Sequence, residues 1–178
     1  MRVVFTYARM NPPTDGHRAL ISKIAEVADE EGRTAIVYLS ETQDRKKNPL
    51  PPEAKLKFLR RAFPAVEFRT SKTVFTAGLE LAENGYSDAV CYVGEDRLST
   101  FEKMLTKYLG TPDLPLEKLE VRAIERGEGA VSASKARQAV LEGDIDRFES
   151  MSIFTEVRSA RELFYAVSDG MGVREDVS

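Results

Sequence analysis

Short apolar runs alternate with amphipathic segments along most of this chain. Val3-Val4-Phe5-Thr6-Tyr7-Ala8 is nearly all apolar and predicts a first strand over Arg2–Ala8. Leu20, Ile21, Ile24 and Val27 follow at helical spacing and predict a helix over Gly16–Glu31. Gly32 breaks that pattern before a second strand at Thr34–Ser40. Beyond the polar stretch Glu41–Leu50, a helix is expected over Pro52–Phe63, with proline in the first turn where its missing N–H costs nothing. A short strand at Val66–Arg69 and a helix at Val74–Asn84 come next, the latter stopped by Gly85. Asp88–Val93 reads as the fourth strand, Leu98–Leu109 as a helix, Gly110–Pro115 as a turn and Leu119–Ile124 as the fifth strand. From Ser132 to Val167 the pattern is helical: one helix ends near Glu142, one contains Ile145, Phe148 and Met151, and one covers about Glu156–Val167. Ser168–Ser178 reads as a polar tail.

Strands alternating with helices predict an α/β fold, a Rossmann-like doubly wound sheet of about five parallel strands with a C-terminal helical segment. One domain is expected over residues 1–178, with an α/β core at 1–131, helices at 132–167 and a tail at 168–178. Ligands of such sheets bind beyond the carboxyl ends of the strands, where strand order reverses. The turn Asn11–His17, the stretch Gly94-Glu95-Asp96-Arg97 and the chain from Glu125 through Val131 to Ser132 should therefore emerge at one edge.

Composition narrows the classes. Of 178 residues, 42 % are hydrophobic and 31 % charged, which fits a packed core with a solvated surface. A formal net charge of −3 argues against a dedicated nucleic-acid binder. The single cysteine, Cys91, lies in the apolar run Ala89-Val90-Cys91-Tyr92-Val93 and reads as a buried structural thiol suited to a reducing compartment. With no signal peptide and no membrane-length apolar stretch, a soluble, cytoplasmic protein is expected. Oligomeric state is open, a homo-oligomer included.

The candidate chemistry begins at Asn11-Pro12-Pro13-Thr14-Asp15-Gly16-His17, between the first strand and the first helix. Unpaired amides in a first helical turn attract phosphate, and Gly16 permits close approach of a ligand to the backbone. His17, the only histidine, can donate to a phosphate oxygen there. Thr14 can cap the helix or face the ligand, and Arg9-Met10 can offer main-chain groups to a base or phosphate. At Val131-Ser132-Ala133-Ser134-Lys135-Ala136-Arg137 a second helix start is expected, with Ser132 as cap and Arg137 as a bidentate fork for phosphate oxygens. Arg126-Gly127-Glu128-Gly129 gives it a flexible approach. Between Arg45 and Arg61 basic residues far outnumber the one acidic residue, Glu53. Lys55, Lys57, Arg60 and Arg61 suit a solvated helix face, whereas Lys46 and Lys47 sit on a loop where an ammonium can offset phosphate charge. After the fourth strand, Asp96 can cap a helix or approach a nucleotide with Gly94, and Arg97 can reach phosphate or pair with a carboxylate. Phe5, Phe58, Phe63, Phe68, Tyr92 and Phe101 follow the core pattern.

Thr14-x-Gly16-His17 resembles the (H/T)xGH signature of the HxGH-type nucleotidylyltransferase superfamily, and Val131–Arg137 resembles its ISxTxxR motif, with Ser134 at the threonine position. Thr14 stands where many members carry a first histidine. Lys46-Lys47-Asn48-Pro49-Leu50 and Ser132–Arg137 look especially like small bacteriophage-encoded members, and the resemblance spans roughly Arg2 to Arg137. It implies transfer of a nucleoside monophosphate from a nucleoside triphosphate, ATP favoured, to a phosphate-bearing acceptor such as nicotinamide mononucleotide, with Mg²⁺ accompanying the triphosphate and pyrophosphate released. A cytidylyltransferase acting on an alcohol phosphate and a non-catalytic nucleotide-binding module are the alternatives. By resemblance His17, Lys46, Lys47 and Arg137 carry the chemistry. Arg9, Met10, Thr14, Gly16, Gly94, Asp96, Arg97, Ser132 and Ser134 surround the nucleotide, and no protein ligand to the metal is implied.

Overall fold

The computed structural model describes residues 1–125 and 129–173, with the side chains of 129–131 left out. Five strands form one sheet: β1 (Arg2–Ala8), β2 (Thr34–Ser40), β3 (Glu67–Ser71), β4 (Asp88–Gly94) and β5 (Lys118–Ile124). Their order is β3-β2-β1-β4-β5 and every pairing is parallel. The helices are α1 (Arg18–Glu31), α2 (Pro52–Ala62), α3 (Val74–Glu83), α4 (Leu98–Tyr108), α5 (Gly129–Leu141), α6 (Ile145–Ser150) and α7 (Val157–Met171). The expected doubly wound α/β architecture is present.

Two compact units make up the chain. One holds the sheet with Ala19–Ser40, α3 and α4; the other holds Arg9–Arg18, Glu41–Pro64 and the C-terminal helices. In the first, the three central strands are buried on both faces, which is why they read as continuous apolar runs. Val3, Phe5, Ile36, Tyr38, Ala89, Cys91 and Val93 share one core with Val74, Ala77 and Leu81 of α3 and Leu105 of α4. Phe5 and Tyr38 meet edge to face there, ring centroids 6.2 Å apart. The edge strands β3 and β5 are only partly buried. In the second unit Leu50, Phe58, Ala136, Ala139, Val140, Phe148, Leu163, Phe164 and Val167 pack together.

Strand order reverses between β1 and β4, so the sheet's switch point lies there. The register between these strands runs from Arg2↔Asp88 to Phe5↔Cys91 and then stops. Beyond it, the Thr6 hydroxyl donates to the Tyr92 carbonyl at 2.8 Å in place of a main-chain bond. The carboxyl ends of β1 and β4 are thus no longer zipped, as a ligand crevice at a switch point requires.

Several boundaries differ from expectation for local reasons. The first helix opens with a 3₁₀ turn at Asp15–His17 before α1 begins at Arg18, a common way to tighten a helix start. Helix α5 starts at Gly129, so Ser132 and Ser134 lie inside it and Ser132 is not its cap. Arg126, Gly127 and Glu128 of the expected flexible approach lie outside the described residues. Helix α7 continues through Ser168–Met171 and ends at Gly172 in the left-handed region (φ 70°). Its buried stripe runs on to Ser168, which extends the helix into what reads as tail. Arg174–Ser178, the rest of that tail, lie outside the described residues.

Candidate functional site

The chain leaves β1 at Ala8 and enters a tightly stitched turn. Met10 takes a positive φ of 46° and the Asn11–Pro12 peptide is cis. Met10, Asn11, Pro12, Pro13 and Thr14 are all buried, whereas Arg9 is exposed. The Asp15 amide donates to the Met151 carbonyl at 2.9 Å, and Arg18 donates to the Ile153 carbonyl at 2.7 Å and to Asp15 Oδ1 at 2.8 Å. The segment after α6 therefore holds the turn in place.

His17 is 8 % exposed. Its Nδ1 accepts the Thr14 amide at 2.9 Å, so the neutral ring carries its proton on Nε2. Burial pulls the imidazole down to about 4, well below its ordinary 6.5. At neutral pH His17 is thus an uncharged ring with one N–H donor to offer. The Thr14 hydroxyl lies 3.2 Å from Nδ1 and 2.5 Å from Ser132 Oγ, so Thr14, His17 and Ser132 form one hydrogen-bonded group. Ser132 meets the turn from inside α5, without the capping role expected of it.

Arg137, two turns into α5, donates from Nη1 to the Asn11 carbonyl at 2.8 Å. Burial, then the charge of Arg9, lowers its pKa, while the carboxylate of Asp44 works the other way. Arg9 and Asp44 are thus both within electrostatic reach of this guanidinium. The Lys46 and Lys47 side chains are exposed on a loop organised from within. One oxygen of Asp44 accepts the amides of Lys46 (3.0 Å), Lys47 (2.7 Å) and Asn48 (3.2 Å), and the other accepts Asn48 Nδ2 at 2.9 Å. These bonds hold the Asp44 carboxyl far below the ordinary carboxylate range, the Asn48 side chain contributing most.

Asn11 joins that loop to the turn. Its Nδ2 donates to the Leu50 carbonyl and its Oδ1 accepts the Leu50 amide, both at 2.9 Å. One buried side chain here does what a neighbouring strand would do. Below the turn, Lys55 Nζ donates to the Arg9 carbonyl at 2.8 Å. Lys55 is 0 % exposed, which corrects its expected place on a solvated face; Lys57, Arg60 and Arg61 are exposed as expected. Burial, then the charge of Arg9, brings the Lys55 ammonium down to about 8.

The structure therefore links Thr14, His17, Ser132 and Arg137 directly or through Asn11, and ties the Lys46–Lys47 loop to the same turn. Gly16 is half-buried within the 3₁₀ turn beside His17, and Ser134 is exposed on α5. Gly94, Asp96 and Arg97 belong to the other unit. There Asp96 sits inside a 3₁₀ turn at Glu95–Arg97, and Arg97 occupies the cap position of α4 without a capping bond from its side chain. The capping role considered for Asp96 is not taken. Asp96 Oδ1 does lie close over Gly94, where a Cβ would come within 2.7 Å of it. The sequence reading gives Asn11, Asp44 and Asn48 no role of their own and places Lys55 on the surface. Only Lys55 carried a signal, its spacing from the core residues Phe58 and Leu59.

Among the described residues no group of three or more His, Cys, Asp or Glu side chains could hold a metal ion. Of the side chains gathered around the turn, the His17 imidazole and the Arg137 guanidinium are nitrogen donors suited to an anion, while the carboxylates of Asp15 and Asp44 already accept from Arg18 and from the loop amides. No helix among the described residues is long and apolar enough to cross a membrane.

The model of the cytidylyltransferase-like family matches residues 5–139, more than half of the chain. The chain belongs to the cytidylyltransferase-like family. No curated protein matches it. Among solved structures, this cytidylyltransferase-like chain is similar to a bifunctional NMN adenylyltransferase/ADP ribose pyrophosphatase from Francisella tularensis, complexed with AMP and manganese. The TM-score is 0.65 at 13 % identity, over 97 % of this chain and 52 % of that one. It is also similar to TmcAL from Thermotoga maritima, bound with alpha-thio ATP: TM-score 0.56 and 13 % identity, over 96 % of this chain and 57 % of that one. This chain spans about half the length of these structures.

Proposed function

We propose that this cytidylyltransferase-like protein is a nucleotidylyltransferase that moves a nucleoside monophosphate from a nucleoside triphosphate to a phosphate-bearing acceptor and releases pyrophosphate. The observation that carries this reading is the neutral, buried His17 with its Nε2–H to offer, joined through the turn to Arg137. ATP is the favoured triphosphate and a nucleotide-like acceptor such as nicotinamide mononucleotide the favoured partner. The AMP and alpha-thio ATP of the two similar structures support that preference. CTP with an alcohol phosphate is the alternative, and the family's description supports its cytidylyl part.

The acceptor phosphate is already ionised, so no general base is needed; the task is to hold anions in line. An acceptor oxygen forms a bond to the α-phosphorus while the bond from that phosphorus to the bridging oxygen breaks, and the electron pair leaves with pyrophosphate. His17 Nε2–H donates to the transferring α-phosphate. Arg137, helped by Ser134, binds the β- and γ-phosphates, and Lys46 or Lys47 offsets the charge of the acceptor. Gly16 and the main chain at Arg9-Met10 let the nucleotide approach; for Gly94, Asp96 and Arg97 a role beside the nucleotide rests on the sequence resemblance alone. Thr14 and Ser132 fix the imidazole. A divalent ion such as Mg²⁺ would accompany the triphosphate and offset its charge, with no residue of this chain assigned as its ligand; the manganese of the Francisella structure supports use of a divalent ion.

Pyrophosphate release, measured across the four triphosphates against a panel of phosphorylated acceptors, tests the reading. One pair should turn over, and His17→Ala should slow it by about 10²–10³-fold with the fold intact. Release with no pair would leave a nucleotide-binding module, and near-normal turnover in His17→Ala would remove the imidazole from the chemistry.

A further inference from the structure

Where the C-terminal helix meets the basic loop at Pro49, no side chain fits. A Cβ built on Gly170, in the last turn of α7, would lie 1.9 Å from the Pro49 carbonyl oxygen and 2.6 Å from its carbon. Contacts that short do not occur, and the obstacle is main chain, which cannot swing aside as a side-chain tip would. Helix α7 therefore touches the loop backbone to backbone because residue 170 is glycine. Two residues on, Gly172 ends the helix in the left-handed region, its amide bonded to the Asp169 carbonyl at 3.1 Å. Its α-carbon lies beside the Arg45 guanidinium, where a Cβ would meet Nη1 at an ordinary 3.5 Å.

The same loop is fixed from two other directions. Asn11 takes both main-chain groups of Leu50, the residue after Pro49. Asp44 gathers the amides of Lys46, Lys47 and Asn48. Pro49 thus sits between a helix end that presses on its carbonyl and a neighbour held by the buried turn. A push at position 170 has two outlets: the helix end shifts, or Pro49 and the lysines before it shift.

We propose that Gly170 is a positioning residue for the acceptor: by admitting the end of the C-terminal helix against Pro49 it sets where the Lys46 and Lys47 ammonium groups stand. The inference deepens the function given above and rests on it for the identity of the ligand, a phosphate-bearing acceptor. Gly170 touches no substrate, so its effect should fall on acceptor binding and spare the triphosphate, which Arg137 and His17 hold from α5 and the turn. A displacement of about 1 Å at a positioning group can cost up to about 10²-fold.

The test is Gly170→Ala in the full chain, with Gly172→Ala as the control that strains the same helix end without colliding with the loop. In Gly170→Ala the KM for the acceptor should rise about ten- to a hundredfold while the KM for the triphosphate stays within about twofold. Gly172→Ala should lower the melting temperature and leave both constants unchanged. Equal changes in the two constants, or an acceptor constant that Gly170→Ala leaves alone, would overturn the proposal. Should Gly170→Ala not fold, Pro49→Gly frees the loop at the same contact without removing a charge and must give the same acceptor-selective rise; an unchanged acceptor constant there refutes it. Amide exchange decides the matter separately from turnover. Gly170→Ala must speed exchange of the Leu50 amide whether or not any pair of substrates reacts, and an unaltered rate ends the proposal. Failure of every substrate pair, with that exchange faster, would instead refute the proposed function alone.

Discussion

The single histidine makes one electrostatic consequence of the fold measurable without interference. His17 is buried as a neutral ring and titrates at about 4, against 6.5 when unfolded. Between those values the unfolded chain holds a proton that the folded chain does not, so stability must fall as pH drops from 6.5 towards 4. A drop from 6.5 to about 4, at about 1.4 kcal/mol for each pH unit, amounts to about 3 kcal/mol. That is a large part of the total for an ordinary domain, about 5–15 kcal/mol. Carboxylates also titrate towards the acid end of this window, so the reading is taken as a difference. Urea unfolding of the native protein and of His17→Gln, at steps between pH 7 and 4, should give curves that converge by about 3 kcal/mol in favour of the variant. The histidine side-chain NMR signal, single in this protein, should show a midpoint near 4 directly. A midpoint near 6.5, or two stability curves that stay parallel, would refute the buried neutral imidazole and the donor role built on it.

Arg137→Ala should weaken binding of a non-hydrolysable triphosphate by about ten- to a hundredfold, the worth of a charge-assisted hydrogen bond; an unchanged calorimetric titration would contradict its role. Lys55 titrates at about 8 when folded and at 10.5 when unfolded, so the unfolded chain holds the extra proton between those values. Stability should therefore gain a rising contribution from pH 8 to 10.5. Lys55→Met should lack it in urea unfolding, and the same rise in both proteins would show that the ammonium is not buried.

The sheet was legible because its physics is local to the sequence. Buried parallel strands read as near-continuous apolar runs, and the interiors of β1, β2 and β4 do, Thr6 apart. The place of His17 was legible for a similar reason, since the apolar strand before it and the helical spacing after it bracket a strand-to-helix turn. The positioning residues were not. Asn11 acts through two bonds to Leu50, thirty-nine positions away, and nothing near it in sequence marks that partner. Asp44 reads as one more exposed acid until its carboxylate is seen to collect the amides that follow it. Lys55 read as surface because lysine usually is, although its spacing from Phe58 and Leu59 put it on the buried stripe. Ser132 reads as a cap from the sequence because a helix start is expected there; the helix starts earlier, and the serine meets Thr14 from its side.

Transfer at this site depends on an anion sitting against His17 Nε2, and the imidazole itself can report it. A phosphate oxygen that accepts from Nε2–H stabilises the protonated ring, so saturating the protein with a non-hydrolysable ATP analogue should move the histidine NMR midpoint upward from about 4. The same analogue should do so more weakly, at equal concentration, in Arg137→Ala. A midpoint that stays where it was, with the analogue demonstrably bound, would place the polyphosphate elsewhere and contradict the account.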